Sequence, residues 1–370
     1  MNDPRIAKLA HMLVNYSINV QPGENVVIRS WTLAEPLINA VCAEIYRAGG
    51  YPHLLLKFPE TDEILFNNAS DEQLQHTSEL EALAVEHFDA VMLIRGEGNT
   101  KSLSNINPHR IMLSRKAERP LMQKLMQRGA EGSLKWVSTL FPTQAYAQDA
   151  DMGLIEFEDF VYRACMPDLN DPIGYWQGVA EKQARLIAWL EEKDHVHILG
   201  PDTKLELSIK GRTWMNSVCK ANVPDGEIYT APIEDSAVGH VFFSYPVIYH
   251  GRQMTGVRLW FEDGKVIRAS AEKNEDYLLE ALETDDGAKY LGEFAIGTNQ
   301  GIDRFVGQIL FDEKIAGSFH LALGNAYPQT GGTNQSAIHW DMICDLRQGG
   351  EIWVDGELFY ENGHFIPVPF

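Results

Sequence analysis

Basic residues are scarce in this 370-residue chain: 31 lysines and arginines stand against 52 aspartates and glutamates, a formal charge of −21. No basic run of useful length occurs. A polyphosphate needs a basic stripe, so nucleic acid and anionic membrane surfaces are disfavoured as partners. Cysteine is sparse as well. Cys42, Cys165, Cys219 and Cys344 lie far apart and form no C-x-x-C pair, which argues against a disulfide scaffold or a thiolate zinc site and fits a reducing cytoplasm. No apolar stretch reaches the ~20 residues that span a bilayer. The opening residues, with acidic Asp3 and an amphipathic pattern, do not read as a secretory signal. Also missing are G-x-G-x-x-G and G-x-x-x-x-G-K-[ST], which disfavours a Rossmann-type dehydrogenase or an NTPase. There is no G-x-S-x-G elbow and no H-E-x-x-H helix.

What remains is a globular composition, 45% hydrophobic, in a chain too long for one core, so two domains are expected. Residues 1–190 read as an α/β domain. Helical patterns at Ile6–Ile18 and Leu33–Ala48 alternate with strand-like runs at 25–30, 51–58, 88–96 and 134–141, which predicts a largely parallel sheet layered with helices. An amphipathic helix over Gly174–Lys193 closes it. From His195 the texture changes to short β-like runs (VHILG, LELSIKG, GVRLWFEDGKVIRASA), with Asp263-Gly264 and Asp355-Gly356 at hairpin turns and one helix at Asn274–Glu283. Residues 191–370 are therefore expected to form an α+β domain dominated by antiparallel sheet.

The stretch from Phe311 to Arg347 concentrates ionisable residues among apolar ones. It holds Glu313, His320, Tyr327, His339 and Asp341. His339 and Asp341 flank Trp340 in a strand-like run, and positions two apart on a strand face the same way. A lone strand histidine is more often a hydrogen-bonded core residue than a ligand. Two histidines with two carboxylates fit that reading badly, because burying several ionisable groups is costly unless they pair or hold a metal. Glu227, after a Pro-Asp-Gly turn, and Glu293, one residue after Gly292, stand at the mouths of apolar strands. Taken alone, each reads as a solvated strand end.

Together these residues form a recognisable set. NVPDGEIYTAP around Glu227, LGE around Glu293, FDEKIAGSFHLALGNAYP from Phe311 to Pro328 and SAIHWD around His339 resemble the thermophilic aminopeptidases of the T and S types, and the resemblance runs nearly end to end. It implies a domain carrying two divalent metal ions, Zn²⁺, Co²⁺ or Mn²⁺, held by Glu227, Glu293, Glu313, His320, His339 and Asp341. It also implies a catalytic Tyr327, peptide substrates with a free N-terminus, and a homodimer. No separate general base stands out, and Glu227 is the candidate. Glu313 precedes His320 by seven residues rather than the motif's five, so a helix-surface position is its competing reading. Four carboxylates match two divalent cations in charge, and mixed carboxylate and imidazole ligation suits those metals.

Two other functions compete. A dihydroxypyridine-type dioxygenase would hold one Fe(II) on His320, His339 and Asp341, leaving Glu227 and Glu293 uncompensated. A non-catalytic peptide- or metal-binding homologue would have no need of Tyr327. For Trp340, Phe242, Phe243 and Tyr245, core packing is favoured over a place in a substrate pocket.

Overall fold

A computed structural model describes residues 3–249 and 252–368. The chain divides into two compact units. The first runs up to Ile173 and takes back Cys219–Pro224; the second comprises Gly174–Val218 and the chain from Asp225 onward.

The first unit is built on a five-stranded sheet in the order Tyr51–Lys57, Asn25–Trp31, Ala90–Arg95, Lys135–Leu140, Asn222–Val223. Every pairing in it is parallel. Val26, Val27 and Ile28 are buried in succession, as a strand covered on both faces requires. The helix Glu35–Arg47 starts with Pro36 in its first turn, buries Leu37, Ile38, Val41 and Ile45, and stops ahead of Gly49 at φ 83°. The first helix is α over Pro4–Met12 and relaxes to a π turn over Leu13–Ser17. This is the α/β unit expected from strand-helix alternation.

The second unit holds two larger antiparallel sheets. The eight-stranded one runs in the order Lys265–Ser270, Arg258–Glu262, Val238–Phe242, Thr203–Ser208, His195–Gly200, Glu351–Val354, Glu357–Glu361, His364–Phe365. Both Asp-Gly pairs make its tight turns: Asp263 and Gly264 have φ 49° and 76°, Asp355 and Gly356 φ 50° and 79°. Positive φ at both central positions is what a two-residue hairpin of matching twist needs. The five-stranded sheet runs His339–Asp345, Ser318–Gly324, Leu291–Gly297, Glu227–Thr230, Met215–Ser217.

One core joins the two sheets. Ile228, Phe294, Ile296, Phe319, Leu321, Leu323, Trp340 and Met342 from the five-stranded sheet pack with Val196, Ile198, Leu205, Val241 and Leu259 from the other. Each such burial contributes roughly 1.5–3 kcal/mol, so this face fixes the sheet's orientation. Leu186 and Leu190 enter the same core. The helix Pro172–Leu190 thus packs almost wholly with the second unit, although the sequence changes texture only after it. No helix of the described residues is long and apolar enough to cross a membrane.

Candidate metal centre

Side chains alternate along a strand, so a sheet that gives every second position of each strand to the core must send the neighbouring positions to its other face. Here that face carries Glu227 and Tyr229, Glu293 and Ala295, His320 and Ala322, His339 and Asp341. The register sets them side by side. Ala295 lies opposite His320, Glu293 opposite Ala322, Ala322 opposite Asp341, and Gly297 opposite Glu227. The small alanines between the ionisable residues leave lateral room for them. Gly292 permits a close approach: a Cβ there would sit 2.3 Å from the Gly324 carbonyl oxygen, at the bulge that re-aims Glu293. Gly226, at φ 114°, turns the chain into the strand that opens with Glu227.

His320 Nε2 lies 3.2 Å from Glu293 Oε1, 3.6 Å from Glu227 Oε2 and 4.0 Å from Asp341 Oδ1. His339 Nε2 lies 3.4 Å from Glu293 Oε2 and 3.5 Å from Asp341 Oδ1. Glu313 comes from a loop instead, directly after the short helix Ile309–Asp312. Its side chain is only 15% exposed, so it does not occupy a helix surface. Three overlapping sets each bring three ligand atoms within 4.8 Å of one another: Glu227, Glu293 and His320; Glu293, His339 and Asp341; Glu313, His320 and Asp341. All six candidate ligands are therefore in one place.

Burial disfavours every charge here, and the neighbours decide the outcome. Burial drives the Glu227 and Glu313 carboxyls upward despite the cation of Lys314. It also acts upward on Glu293 and Asp341, but the two histidines overcome it and hold both below the usual range. Burial lowers the basicity of His320, yet Glu293, Glu227 and Asp341 lift it to about 9. His339 is lifted in the same way, chiefly by Asp341 and Glu293. Without a metal, then, protons compensate the carboxylates. A divalent cation at the same atoms would replace them.

The donor set fits divalent metal on its own chemistry. Glu227 Oε2 and Glu293 Oε2 are buried without a hydrogen-bond partner, a costly state for carboxylate oxygens unless something cationic meets them. His320 and His339 each turn Nε2 toward these oxygens, and neutral imidazole with carboxylate is a ligand combination for zinc-like metals.

Tyr327 borders the cluster. Its ring meets His339 edge-on at 5.0 Å and Tyr229 at 5.7 Å. Burial and the nearby carboxylates push its phenol well above the ordinary value, so the hydroxyl stays a donor at neutral pH.

Two residues at this site were not legible beforehand. Tyr229 follows Glu227 by two on the same strand, and the E-I-Y spacing was the available signal. Lys314 is fully buried, with Nζ 3.4 Å from Glu227 Oε1 and paired with Glu313. In the sequence it looks like part of a solvated Asp-Glu-Lys run. The four carboxylates thus share the site with one ammonium.

The aromatic residues weighed for a pocket take other places. Trp340 and Phe243 are core residues, Trp340 stacked on Tyr249 at 4.6 Å. Phe242 lies under Arg258, and Tyr245 donates its hydroxyl to Asp345 at 3.0 Å.

The sequence profile of the thermophilic metalloproteases (M29) matches residues 2–365. The chain belongs to that family. It is 28% identical to aminopeptidase 2 of Geobacillus stearothermophilus, covering 98% of each chain, and 26% identical to aminopeptidase T of Thermus thermophilus, covering 98% of this chain and 96% of the other. The structure of wild-type AmpT from Thermus thermophilus matches with a TM-score of 0.86 at 22% identity, over 98% of this chain and 99% of that one. A second similar structure, 2,5-dihydroxypyridine dioxygenase of Pseudomonas putida KT2440, has a TM-score of 0.57 at 12% identity, over 98% and 97% of the chains. At those identities the two structures speak for the fold. Family membership makes this chain a metal-dependent peptide hydrolase.

Proposed function

We propose that this M29 member is an aminopeptidase that removes the N-terminal residue of peptides with two divalent ions held by Glu227, Glu293, Glu313, His320, His339 and Asp341. The observation that carries the reading is the convergence of four carboxylates and two imidazoles, five of the six from one face of one sheet and Glu313 from a loop over it, with two of the carboxylate oxygens buried and without a hydrogen bond. Zn²⁺, Co²⁺ and Mn²⁺ all suit such ligands. Bound there, the pair supplies Lewis-acid chemistry, polarising the scissile carbonyl and making water a nucleophile at neutral pH.

The chain's own groups do the rest. Tyr327 donates its hydroxyl hydrogen to the oxygen that becomes negative as the carbonyl is attacked, a contact of ~3–4 kcal/mol in comparable sites. Glu227, a carboxylate at the edge of the cluster and the candidate for a role that no separate base fills, accepts a proton from the attacking water. The carboxylate cluster captures the free α-amine of the substrate, which restricts cleavage to the chain end. A single iron on His320, His339 and Asp341 leaves Glu227, Glu293 and Glu313 without a use, which disfavours the ring-cleaving alternative.

The test is an assay of metal-loaded and EDTA-stripped protein on aminoacyl-p-nitroanilides of differing side chain, each with its N-acetylated control. Turnover that disappears on stripping, returns with Zn²⁺, Co²⁺ or Mn²⁺, and requires the free amine supports the reading. Full activity after stripping, or equal cleavage of blocked substrates, overturns it.

A further inference from the structure

Lys314 has no exposed side-chain surface. It is the only ammonium paired with the ligand cluster among the described residues, and its position is fixed from several sides. Its carbonyl accepts from Asn299 N at 3.1 Å, and its own N–H donates to the Phe311 carbonyl at 3.0 Å. Gly297 lets this loop lie against the sheet: a Cβ there would fall 2.2 Å from the Ile315 carbonyl oxygen. The same Gly297 pairs with Glu227. The strand that aligns Glu227 thus also holds the loop that delivers Lys314 to it.

The contacts are lopsided. Lys314 pairs with Glu227 and Glu313, which belong to two of the three ligand sets. It makes no ion pair with Glu293, His339 or Asp341, which form the third. Without metal, the ammonium adds to the protons that compensate the first two carboxylates. With metal, it repels whichever ion they bind.

Building on the two-metal reading above, we propose that Lys314 is a positioning residue that acts as a resident counter-cation. It keeps the metal-free cluster assembled and makes the ion on the Glu227 and Glu313 side bind more weakly than the ion on the Glu293, His339 and Asp341 side. One metal is then retained and the other exchanges. The centre's sensitivity to metal supply is thereby set by a side chain that never meets the substrate.

Thermodynamic linkage makes this measurable in a single direction. If Lys314→Met destabilises the metal-free protein more than the loaded one, metal affinity for the folded protein must rise by the corresponding factor. Because the ligating carboxylates neutralise most of a bound ion's charge, the net gain from removing the ammonium is about ten- to a hundredfold in affinity, well below the bare Coulomb repulsion of the two cations at an interior dielectric of about 20. A residue that merely filled space would weaken metal-free and loaded protein alike and leave affinity unmoved.

The experiment is a chelator-competition titration of the stripped full-length protein with Zn²⁺, paired with melting curves of both forms. Wild type is expected to bind two equivalents in a tight and a weak class. Lys314→Met should tighten the weak class ten- to a hundredfold, leave the tight class in place, and widen the gap between metal-free and loaded melting temperatures. Lys314→Arg, which keeps the charge, should retain the wild-type split. Unchanged or weaker binding in the weak class of Lys314→Met overturns the proposal. If Lys314→Met folds only with metal present, that is the predicted destabilisation in its extreme form. If it does not fold at all, the decision falls to wild type and Glu313→Gln. Loss of the weak class alone in Glu313→Gln supports the assignment, while a single affinity class in wild type or loss of the tight class overturns it. Failure of wild type to bind any divalent ion would instead overturn the metal-dependent reading beneath it.

Discussion

His339 donates its Nδ1–H to the carbonyl oxygen of Asn325 across 2.7 Å, leaving Nε2 as the nitrogen that faces Glu293 and Asp341. A carbonyl can only accept, so in the neutral ring this contact fixes which nitrogen carries the hydrogen. A ligating histidine needs that arrangement: one nitrogen anchored to the backbone, the other free to offer its lone pair. The anchor sits just past the strand Ser318–Gly324 that carries His320, so one turn orients the second imidazole beside the first.

His339→Ala removes this oriented donor and should lower metal content and activity together, with metal affinity falling at least tenfold. Elemental analysis after dialysis, run beside the peptidase assay, checks it. Wild-type metal content in the variant would remove His339 from the ligand set.

Tyr327→Phe deletes one hydroxyl and keeps the ring packed against His339 and Tyr229. Metal content and folding should hold while kcat drops ~10²–10³-fold with little change in KM. Near-normal kcat at full metal occupancy would return Tyr327 to a packing role.

The metal-free protein should lose stability as pH rises. His320 is raised from an ordinary 6.5 to about 9 in the folded state, so its stabilising contribution is complete below pH 6.5 and gone above about pH 9. It is on the order of 3 kcal/mol. The raised Glu227 carboxyl acts in the same sense. The lowered Asp341 and Glu293 act oppositely, and lose their contribution only as pH falls below the carboxylate range. Melting curves of stripped protein between pH 6.5 and 9 should therefore slope downward, and those of metal-loaded protein should be nearly flat. A flat stripped profile would mean that the histidines do not carry these protons.

Neighbouring positions on one strand should fail in different ways. Trp340→Ala opens a hole in the inter-sheet core and should cost ~3–5 kcal/mol in a denaturant titration, with metal ligands intact. Asp341→Asn should chiefly cost metal. If both variants give the same phenotype, the two faces of the strand do not have separate tasks.

Much of this was legible from sequence because a period of two is simple to read. In SAIHWDMICDL the apolar positions predict a core face, and His339 and Asp341 fall between them. The alternating Asp-Gly hairpins behaved likewise, since few residue pairs accept positive φ twice. Loops carry no such period. Glu313 and Lys314 reach the cluster through backbone bonds to Asn299 and Phe311 that no local pattern announces, and the run that supplies them reads as surface charge. The segment Asn222–Val223 was equally hidden: two residues pair with Ser138 and Thr139 of the parallel sheet, just ahead of the strand that opens with Glu227. A strand so short has no periodicity to detect.

The division of labour between the two faces gives the catalytic sheet a parity rule. A one-residue insertion or deletion inside His339–Asp345, Ser318–Gly324 or Leu291–Gly297 that no bulge absorbs would exchange core for cluster from that point onward, turning carboxylates toward the hydrocarbon and apolar side chains toward the cluster. Length changes in descendants of this chain are therefore confined to its loops. Loops that carry no site residue can drift in length, while the strands that hold the cluster can change only letter by letter.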